Sequence, residues 1–548
     1  MRETRSYWDQ VWQRRLSRRR ALSLAARTGI GLAGLSLLGC APAAPGGTQA
    51  AKVPERVTVA YGSDLRTPDP HLEGGITGVG VRDHVYDGLF KMGVNLDVIP
   101  GLAVSHKWLG DGRTWEVKLR KGVKFQNGEP FTGEVVKFNT QRQQDAAFKP
   151  NYMSDFTDIE KVEVVDDYTV RVISKEPDPT IPFKYLQSTV VPMKHNQGPR
   201  GNKAQAEEPF GTGPYKWVKW VKDDRIELEM NEGWWGWQKG ERWEKALKIP
   251  KIVFRPIPQP AARLAGLKTG EFDIIYGPLP EAFEELKASA ELGLLSVKGS
   301  GTPMIKISQF DKASPLRDRR VRQAMNYAVD VDTIIKQIMK GYAERNASAM
   351  GSAYFGFDKD LKPYTYDPKK AKELLAQAGY PNGFEVVFDT TGSCYAETKE
   401  YTQAIAGYLA DVGIKAKLTP HAAAANFAQT AWEKKEGPYG LIEACRGTSS
   451  LDVDIIVSQE LNSQSNKNYS YYANPEADKL LGEGRSTVDP EKRKAIYKKL
   501  LALIKEDAPW IFLFQIPYNW AYNKKKLPDF HPVQWGAHLY NYGPGVNA

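Results

Sequence analysis

Glu208-Pro209-Phe210-Gly211-Thr212-Gly213-Pro214-Tyr215 is a turn-forming stretch that leads into a predicted β-hairpin. Residues 216–221 read as a strand, Lys222-Asp223-Asp224 turns the chain, and apolar residues alternate with polar ones over 226–230. A Gly-x-Gly motif binds phosphate when a helix follows it and supplies N-terminal amides. Because a strand follows here, the stretch predicts a β-hairpin and argues against nucleotide binding.

Beyond residue 52 the chain has the pattern of a mixed α/β protein. Periodicity predicts a strand from Val57 to Tyr61, a helix from Val79 to Phe90 and antiparallel strands over residues 104–125. From about residue 303, helices alternate with strands. Strands predicted at Phe384 to Phe388 and Ile414 to Leu418 each adjoin a helix, which favours a partly parallel sheet.

The first 52 residues have the pattern of an export signal followed by a tether. A basic tract that contains Arg18 and Arg19 precedes a mostly apolar run, Thr28 to Gly39. This run of about 12 residues is shorter than the roughly 20 that a membrane-spanning helix needs. Residues 1–39 therefore predict a signal peptide, and the small residues after Cys40 predict a flexible tether.

The charge of the chain depends strongly on that signal. The 548 residues carry a formal charge of +10, but residues 1–39 hold eight Arg against Glu3 and Asp9. The remaining 509 residues are therefore near +4, which is not the balance of a nucleic-acid-binding protein. A chain of that length has enough core for two or three domains.

The cysteine and histidine content excludes several kinds of site. Besides Cys40, the chain has only Cys394 and Cys445, so a disulfide framework is excluded and a single bridge between these two stays open. The seven His residues are scattered, and neither a Gly-x-Ser-x-Gly elbow nor a metal-ligand spacing occurs. We therefore expect no enzyme activity, no cofactor and no metal site; an exported hydrolase is the disfavoured alternative.

Several motifs, in a fixed order, together resemble one family, the family 5 extracellular solute-binding proteins of bacterial ABC importers, the dipeptide/oligopeptide/nickel-binding group. They cover roughly residues 57–520. The matching segments are Asp69-Pro70-His71, Val85-Tyr86-Asp87-Gly88-Leu89, Trp108-Leu109-Gly110-Asp111-Gly112-Arg113-Thr114, Gly211-Thr212-Gly213-Pro214-Tyr215, Asp318-Arg319-Arg320-Val321-Arg322-Gln323-Ala324 and Tyr366-Asp367-Pro368.

Two N-terminal motifs fit the same family. Leu37-Leu38-Gly39-Cys40 resembles the bacterial lipobox, whose cysteine is lipidated. Ser17-Arg18-Arg19-Arg20-Ala21-Leu22 resembles a twin-arginine export signal, although Ala21 stands where that pattern prefers an aromatic residue. The choice between Sec and twin-arginine export therefore stays open.

The resemblance implies an α/β fold of the two-lobed periplasmic-binding-protein type (type II, with an extra subdomain), with mixed sheets and a ligand cleft between the lobes. Two crossing strands near Gly301-Thr302-Pro303 and near Gln515-Ile516 form the hinge. The expected division is 1–39 for the signal, 40–52 for the tether, 52–302 for lobe 1 with the subdomain at about 90–210, 303–515 for lobe 2, and 516–548 for a return to lobe 1. Trp234-Trp235-Gly236-Trp237 is expected on the surface.

The implied function is that of an extracytoplasmic lipoprotein. It captures a dipeptide or oligopeptide by lobe closure and delivers it to permease subunits that a cytoplasmic ATPase drives. We expect a monomer held to the outer face of the cell membrane by its lipid. An oligosaccharide, or a nickel- or haem-type ligand, remains an alternative within the same receptor role.

The resemblance also marks candidate ligand residues in the stretch from Cys445 to Asp452. In peptide-binding relatives an Asp in this loop holds the peptide amino terminus; here Ser449 takes that place, and Asp452 matches a second acidic position. A neutral hydroxyl does not replace a carboxylate opposite a buried ammonium. Arg446 either clamps a carboxylate or is a solvated loop charge, and Tyr61 and Trp432 are either cleft walls or core.

Overall fold

The computed structural model describes residues 53–93, 97–390, 395, 397–421, 440–447, 451–533 and 536–542. The export residues Arg18, Arg19 and Cys40, and the candidate ligand residues Trp432 and Ser449, lie outside the described residues.

Strands in these ranges fall into three sheets. Their bounds are β1 (Arg56–Tyr61), β2 (Phe90–Met92), β3 (Val98–Pro100), β4 (Ala103–Trp108), β5 (Thr114–Leu119), β6 (Ile159–Asp166), β7 (Thr169–Ser174), β8 (Tyr215–Val221), β9 (Arg225–Met230), β10 (Lys251–Pro256), β11 (Ile274–Tyr276), β12 (Leu292–Ile307), β13 (Glu344–Arg345), β14 (Phe384–Thr390), β15 (Ile414–Pro420), β16 (Leu441–Arg446), β17 (Trp510–Phe512) and β18 (Phe514–Asn523).

Helices cover the faces of the sheets. Their bounds are α1 (Gly75–Val85), α2 (Gly133–Gln144), α3 (Met153–Phe156), α4 (Ile181–Gln187), α5 (Met193–Gln197), α6 (Ala204–Glu207), α7 (Pro260–Thr269), α8 (Phe283–Ala288), α9 (Arg319–Ala328), α10 (Val331–Gln337), α11 (Pro368–Gln377), α12 (Thr398–Asp411), α13 (Val453–Leu461), α14 (Pro475–Ser486) and α15 (Pro490–Asp507).

One large sheet of mixed direction runs through the molecule. Its strands follow the order β15-β14-β16-β12-β18-β11-β1-β10-β9-β8, with β13 and β17 pairing at its middle. The predicted parallel pair is present as β14 with β15, and the predicted hairpin at residues 215–230 is present as β8 with β9. A separate four-stranded antiparallel sheet, β4-β5-β7-β6, lies within the stretch expected to form the extra subdomain.

Two strands, β12 and β18, connect the halves of this sheet. The first part of β12 pairs with β18, its register shifts between Val297 and Gly301, and its last part pairs with β16 and β17. We call residues 299–302 of β12 with residues 515–517 of β18 the junction. At the junction the chain passes from one half of the sheet to the other.

The buried apolar side chains divide at this junction. One set of clusters includes Val57 of β1, Ile274 of β11 and Trp520 of β18, and we call the half that contains it lobe 1. The other set includes Ile305 of β12 and Phe514 of β18, and it defines lobe 2. Since Leu539 and Tyr540 belong to the first set, the described C-terminal residues pack in lobe 1.

The opening Gly-Thr-Gly stretch packs against the end of α1. A β-carbon on Gly211 would overlap the carbonyl oxygen of Val85, and one on Gly213 would lie 2.6 Å from the same oxygen. The amide of Gly213 donates to Val85 O at 2.9 Å. The glycines therefore allow a strand to lie directly on the helix end, and this explains the motif without a phosphate.

Two predictions for this region are wrong, and the side chain of Asp87 explains both. The helix predicted to reach Phe90 ends at Val85, because the Asp87 carboxylate turns inward and pairs with Lys91 Nζ at 2.7 Å. The same carboxylate accepts from Trp235 Nε1 at 2.7 Å and from Trp234 Nε1 at 3.1 Å. These two indoles and Trp237 are buried, so Trp234-Trp235-Gly236-Trp237 is core and not surface.

Candidate ligand-binding site

The carboxyl ends of strands from both lobes meet at the junction. In lobe 1, β11 runs antiparallel to β18 with Tyr276 opposite Trp520, and β1 runs parallel to β11. In lobe 2, β16 runs antiparallel to β12 with Arg446 opposite Thr302. Ligands of α/β proteins bind beyond the carboxyl ends of strands, where the direction of the chain connections changes. This convergence identifies the junction as the candidate site.

Aromatic side chains occupy the lobe 1 side of this site. We call Tyr61, Tyr276, Tyr518 and Trp520 the aromatic row. The ring centroid of Tyr276 lies 6.1 Å from that of Tyr61, 5.1 Å from that of Trp520 and 6.3 Å from that of Tyr518. The rings meet because Tyr61, Tyr276 and Trp520 lie on three neighbouring strands at one level of the sheet.

The members of the aromatic row differ in exposure. Tyr61 and Trp520 are fully buried, whereas Tyr276 is half-buried. Burial raises the pKa of the Tyr61 hydroxyl far above its ordinary value. Tyr61 therefore packs as the inner member of the row, and Tyr276 presents the row to solvent. A wall role for Tyr61 stays a prediction.

Tyrosines of lobe 2 approach the same place. The hydroxyl of Tyr354 donates to the carbonyl oxygen of Ser300, in the junction, at 2.7 Å. Burial, together with the neighbouring hydroxyls of Tyr518, Tyr276 and Tyr354, raises the pKa of Tyr395 well above its ordinary value. Tyr395 thus lies beside members of the aromatic row although it belongs to the other lobe.

Charged side chains lie at the strand ends of lobe 2. Arg446, the last residue of β16, binds Glu460 through its Nε. Glu460 is fully buried and also binds Lys306, which is itself buried. Burial raises the pKa of Glu460, but the two cations outweigh that effect and hold it below its usual value.

A second pair of titratable side chains lies at the end of β14. His421 Nε2 lies 2.9 Å from Asp389 Oδ1, and both side chains are largely buried. Burial raises the pKa of Asp389 against the opposing effect of His421. The strand ends of lobe 2 therefore carry both signs of charge.

Asp452 has a scaffold position in the structure. It caps the start of α13 by accepting from the amide of Asp454 at 2.9 Å. Its carboxylate also accepts from both Nη groups of Arg493, one of them at 2.9 Å, and both side chains are buried. This pairing neutralises Asp452 within lobe 2, and a ligand role for it stays a prediction.

The structure brings Tyr61 and Arg446 to the two sides of the junction and places Asp452 beyond it in lobe 2. The structure also places at or near the junction six residues that are not among the predicted site residues: Tyr276, Tyr518, Tyr354, Tyr395, Lys306 and Glu460. A partial signal existed for Tyr276, which ends an apolar strand immediately before Gly277-Pro278. Tyr518 and Glu460 carried no comparable signal.

Cys445 is disulfide-bonded, and the other two cysteines lie outside the described residues. Within the described ranges, no group of three or more His, Cys, Asp or Glu side chains is arranged to hold a metal ion. None of the helices in those ranges is both long and apolar enough to cross a bilayer.

Comparisons with known proteins define the class. Residues 97–469 match the model of the bacterial extracellular solute-binding proteins, family 5 middle region. The glutathione-binding protein GsiB of Pectobacterium atrosepticum is 31% identical over 482 residues, which cover 86% of this chain and 91% of that protein.

Solved structures agree with that match. DppA of Helicobacter pylori, an ABC transporter-associated periplasmic binding protein in complex with the peptide STSA, has a TM-score of 0.73 at 25% identity, covering 90% of this chain and 98% of DppA. NikZ of Campylobacter jejuni, in complex with Ni(L-His), has a TM-score of 0.74 at 23% identity over 89% of this chain and 99% of NikZ. The likeness to NikZ shows the fold alone.

The fold is that of a two-lobed periplasmic binding protein, as predicted. The chain belongs to family 5 of the bacterial extracellular solute-binding proteins. The predictions of the family and of the mixed α/β fold are therefore confirmed, and the receptor role is confirmed at the level of solute binding.

Proposed function

We propose that this protein is the substrate-binding lipoprotein of an ABC importer and that it captures a small peptide between its lobes. Lobe 1 comprises 52–302 and 516–548, and lobe 2 comprises 303–515. The observation that carries the proposal is the convergence of Tyr276 from lobe 1 and Arg446 from lobe 2 on the junction. The role requires binding and release, with no covalent step.

Closure of the lobes is the proposed mechanism. A ligand that touches both lobes favours the closed form by its differential affinity for the two forms. Aromatic walls supply contact area, and a few charged groups fix orientation once water is excluded. Micromolar affinity corresponds to about −8 kcal/mol, which a few charge-assisted hydrogen bonds and one buried aromatic contact supply.

A peptide is the ligand class that the relatives favour. GsiB is a glutathione-binding protein by name, and DppA is bound to a tetrapeptide. Ser449 stands where peptide-binding relatives carry the Asp that holds the amino terminus. Glutathione is therefore the first probe, because it is a small peptide whose carboxylates offer an alternative anchor.

A thermal-melt screen of the purified protein without residues 1–40 tests the ligand class. A bound ligand raises the melting temperature by mass action, with a stabilisation of about 2.7 kcal/mol at a hundredfold excess over Kd. We expect shifts with glutathione or with di- to hexapeptides and none with oligosaccharides or metal chelates. Shifts with sugars or chelates alone would contradict the peptide assignment, and steady turnover of any ligand would contradict a receptor.

The membrane anchor has its own test. We propose that Arg18 and Arg19 direct export and that Cys40 carries the lipid, with residues 41–52 as the tether between the membrane and lobe 1. Cys40→Ala should move the protein from the membrane fraction to the soluble fraction. The matched control is Ser36→Ala in the same signal, which should leave the protein membrane-bound. Retention of the Cys40→Ala variant in membranes would contradict the anchor.

A further inference from the structure

Three charged side chains of lobe 2 form a group that we call the Glu460 triad: Lys306, Glu460 and Arg446. Glu460 is 0% exposed and Lys306 is 1% exposed. The carboxylate of Glu460 accepts from Lys306 Nζ through one oxygen and from Arg446 Nε through the other. Lys306 Nζ also lies 4.7 Å from the centroid of the Tyr469 ring, within cation–π distance. The Glu460 triad is therefore anchored in the buried core of lobe 2.

The charges of the triad do not balance. One carboxylate faces two cations, which leaves a net charge of +1. Lys306 is enclosed, whereas the Arg446 side chain is 37% exposed. The surplus positive charge therefore reaches solvent at Arg446. A different buried pair of lobe 2, Asp452 with Arg493, is one-to-one and leaves no surplus.

The register of the sheet places Arg446 at the candidate site. Arg446 ends β16 opposite Thr302, and Gly301 pairs with Ile516 where β12 crosses to the other lobe. Glu460 binds the Nε of Arg446. The Nη1 and Nη2 groups are the two donors whose parallel geometry matches the two oxygens of a carboxylate.

We propose that the ligand carries a carboxylate that binds the Nη groups of Arg446, and that Glu460 and Lys306 are positioning residues for this arginine. Glu460 holds the guanidinium at the junction, and Lys306 neutralises Glu460 so that Arg446 keeps its charge for the ligand. The inference rests on the proposed peptide function and adds the chemical group by which lobe 2 recognises the peptide.

The test measures Kd by calorimetry for three kinds of probe. These are glutathione and short peptides with free carboxyl termini, the same peptides with amidated termini, and succinate as a carboxylate without peptide bonds. The variants are Lys306→Met, Arg446→Lys and the double variant Lys306→Met/Glu460→Gln. Arg485→Met is the matched control, because Arg485 is also a partly exposed arginine of lobe 2 on a buried carboxylate, that of Asp454.

Lys306→Met reduces the net charge of the triad to zero. We expect it to weaken binding of the free-carboxylate probes about 10- to 100-fold, the range of one charge-assisted interaction, and to leave the amidated probes nearly unchanged. The double variant returns the charge to +1 and should recover most of that loss. Arg446→Lys should lower the preference for carboxylate over amide, whereas Arg485→Met should leave that preference unchanged.

Two of the outcomes separate this inference from the proposed function. Equal binding of free and amidated peptides would overturn the inference and leave the peptide receptor intact. Binding of succinate alone would support the inference and overturn the peptide function. Failure of every carboxylate probe to bind, or a carboxylate preference that survives both Lys306→Met and Arg446→Lys, would also overturn it. If Lys306→Met does not fold, Arg446→Lys decides, because Arg446 is partly exposed.

Discussion

Lobe 1 presents aromatic rings at the junction, whereas lobe 2 presents charged side chains there beside Tyr354 and Tyr395. Tyr276 and Tyr518 stand on the lobe 1 side, and Arg446 with Glu460 stands on the lobe 2 side. Aromatic rings offer contact area with little regard to sequence, whereas a fixed charge selects one functional group. The difference suggests a division of labour in which lobe 1 supplies contact area and lobe 2 supplies selectivity.

The interior of lobe 1 contains buried histidines. Lobe 1 buries His71 and His84, whose pKa values burial lowers to about 4 and about 3 respectively. Both lobes bury ion pairs: Lys91 with Asp87 in lobe 1, and Asp452 with Arg493 and Glu460 with Lys306 in lobe 2. The buried imidazoles of lobe 1 are therefore an added source of acid sensitivity.

The largest effect is expected from breaking a buried ion pair of lobe 2. Arg493→Met leaves the carboxylate of Asp452 buried without its partner and should lower the free energy of unfolding by about 3–5 kcal/mol. Chemical denaturation measures the loss. Lys494→Met, at the neighbouring position, where the side chain is 38% exposed, is the control and should cost little. If Arg493→Met were no more harmful than the control, Asp452 would not be a scaffold residue.

Acid should act mainly on lobe 1. Because the folded pKa of His71 is about 4 and the unfolded value is 6.5, the unfolded chain binds a proton first. Stability is therefore lost as the pH falls from 6.5 towards 4, by about 3 kcal/mol for this residue alone. Thermal melts across that range measure the slope.

A His71→Gln variant sharpens this test. Glutamine does not titrate, so the variant should show a shallower slope between pH 6.5 and 4 than the wild type. The control is His195→Gln, at a partly exposed imidazole of lobe 1. An unchanged slope in His71→Gln would show that the acid sensitivity arises elsewhere.

Removing a ring from the aromatic row should weaken every ligand alike. Tyr276→Ala should raise Kd about 10- to 100-fold for free and amidated peptides together, because the lost term is apolar contact of about 1.5–3 kcal/mol. Calorimetry measures both series. Tyr366→Ala removes a tyrosine of lobe 2 that is 41% exposed and should leave Kd unchanged. A loss restricted to free carboxylates would contradict the division between the lobes.

The smallest effect is expected at an ion pair between the lobes. Arg485 Nη2 of lobe 2 lies 3.9 Å from Asp158 Oδ2 of lobe 1, and both side chains are half exposed. Exposed pairs contribute about 0–1 kcal/mol, so Asp158→Asn should raise Kd less than about fivefold, and only at low salt. Glu285→Gln breaks a pair with Lys268 inside lobe 1 and should not change Kd at any salt concentration.

Local chemistry made part of the fold predictable. An Asp followed by a Pro is typical of a helix start, and Asp367-Pro368 and Asp489-Pro490 both begin helices: Asp367 accepts from the amide of Lys370, and Asp489 from that of Lys492. These caps depend only on neighbours in the chain. The end of α1 was not predictable in this way, because Asp87 is drawn inward by Trp235, which lies far along the chain.

The candidate site was predictable only in part for the same reason. Arg446 was marked because it lies in a loop motif of the family. Tyr276 and Tyr518 belong to strands that meet only through the pairing of β11 with β18, so no local pattern connects them. Glu460 lies on α13, and its partner Lys306 looks in the sequence like one of many surface lysines. Long-range pairing, which periodicity does not encode, completes the site.

A crystal structure of the protein with glutathione or a bound peptide would show whether the ligand bridges the two lobes. We expect a ligand between the lobes, with one face against Tyr276 and Tyr518 and a carboxylate on the Nη groups of Arg446. A ligand held by one lobe alone, or one placed away from the junction, would contradict it.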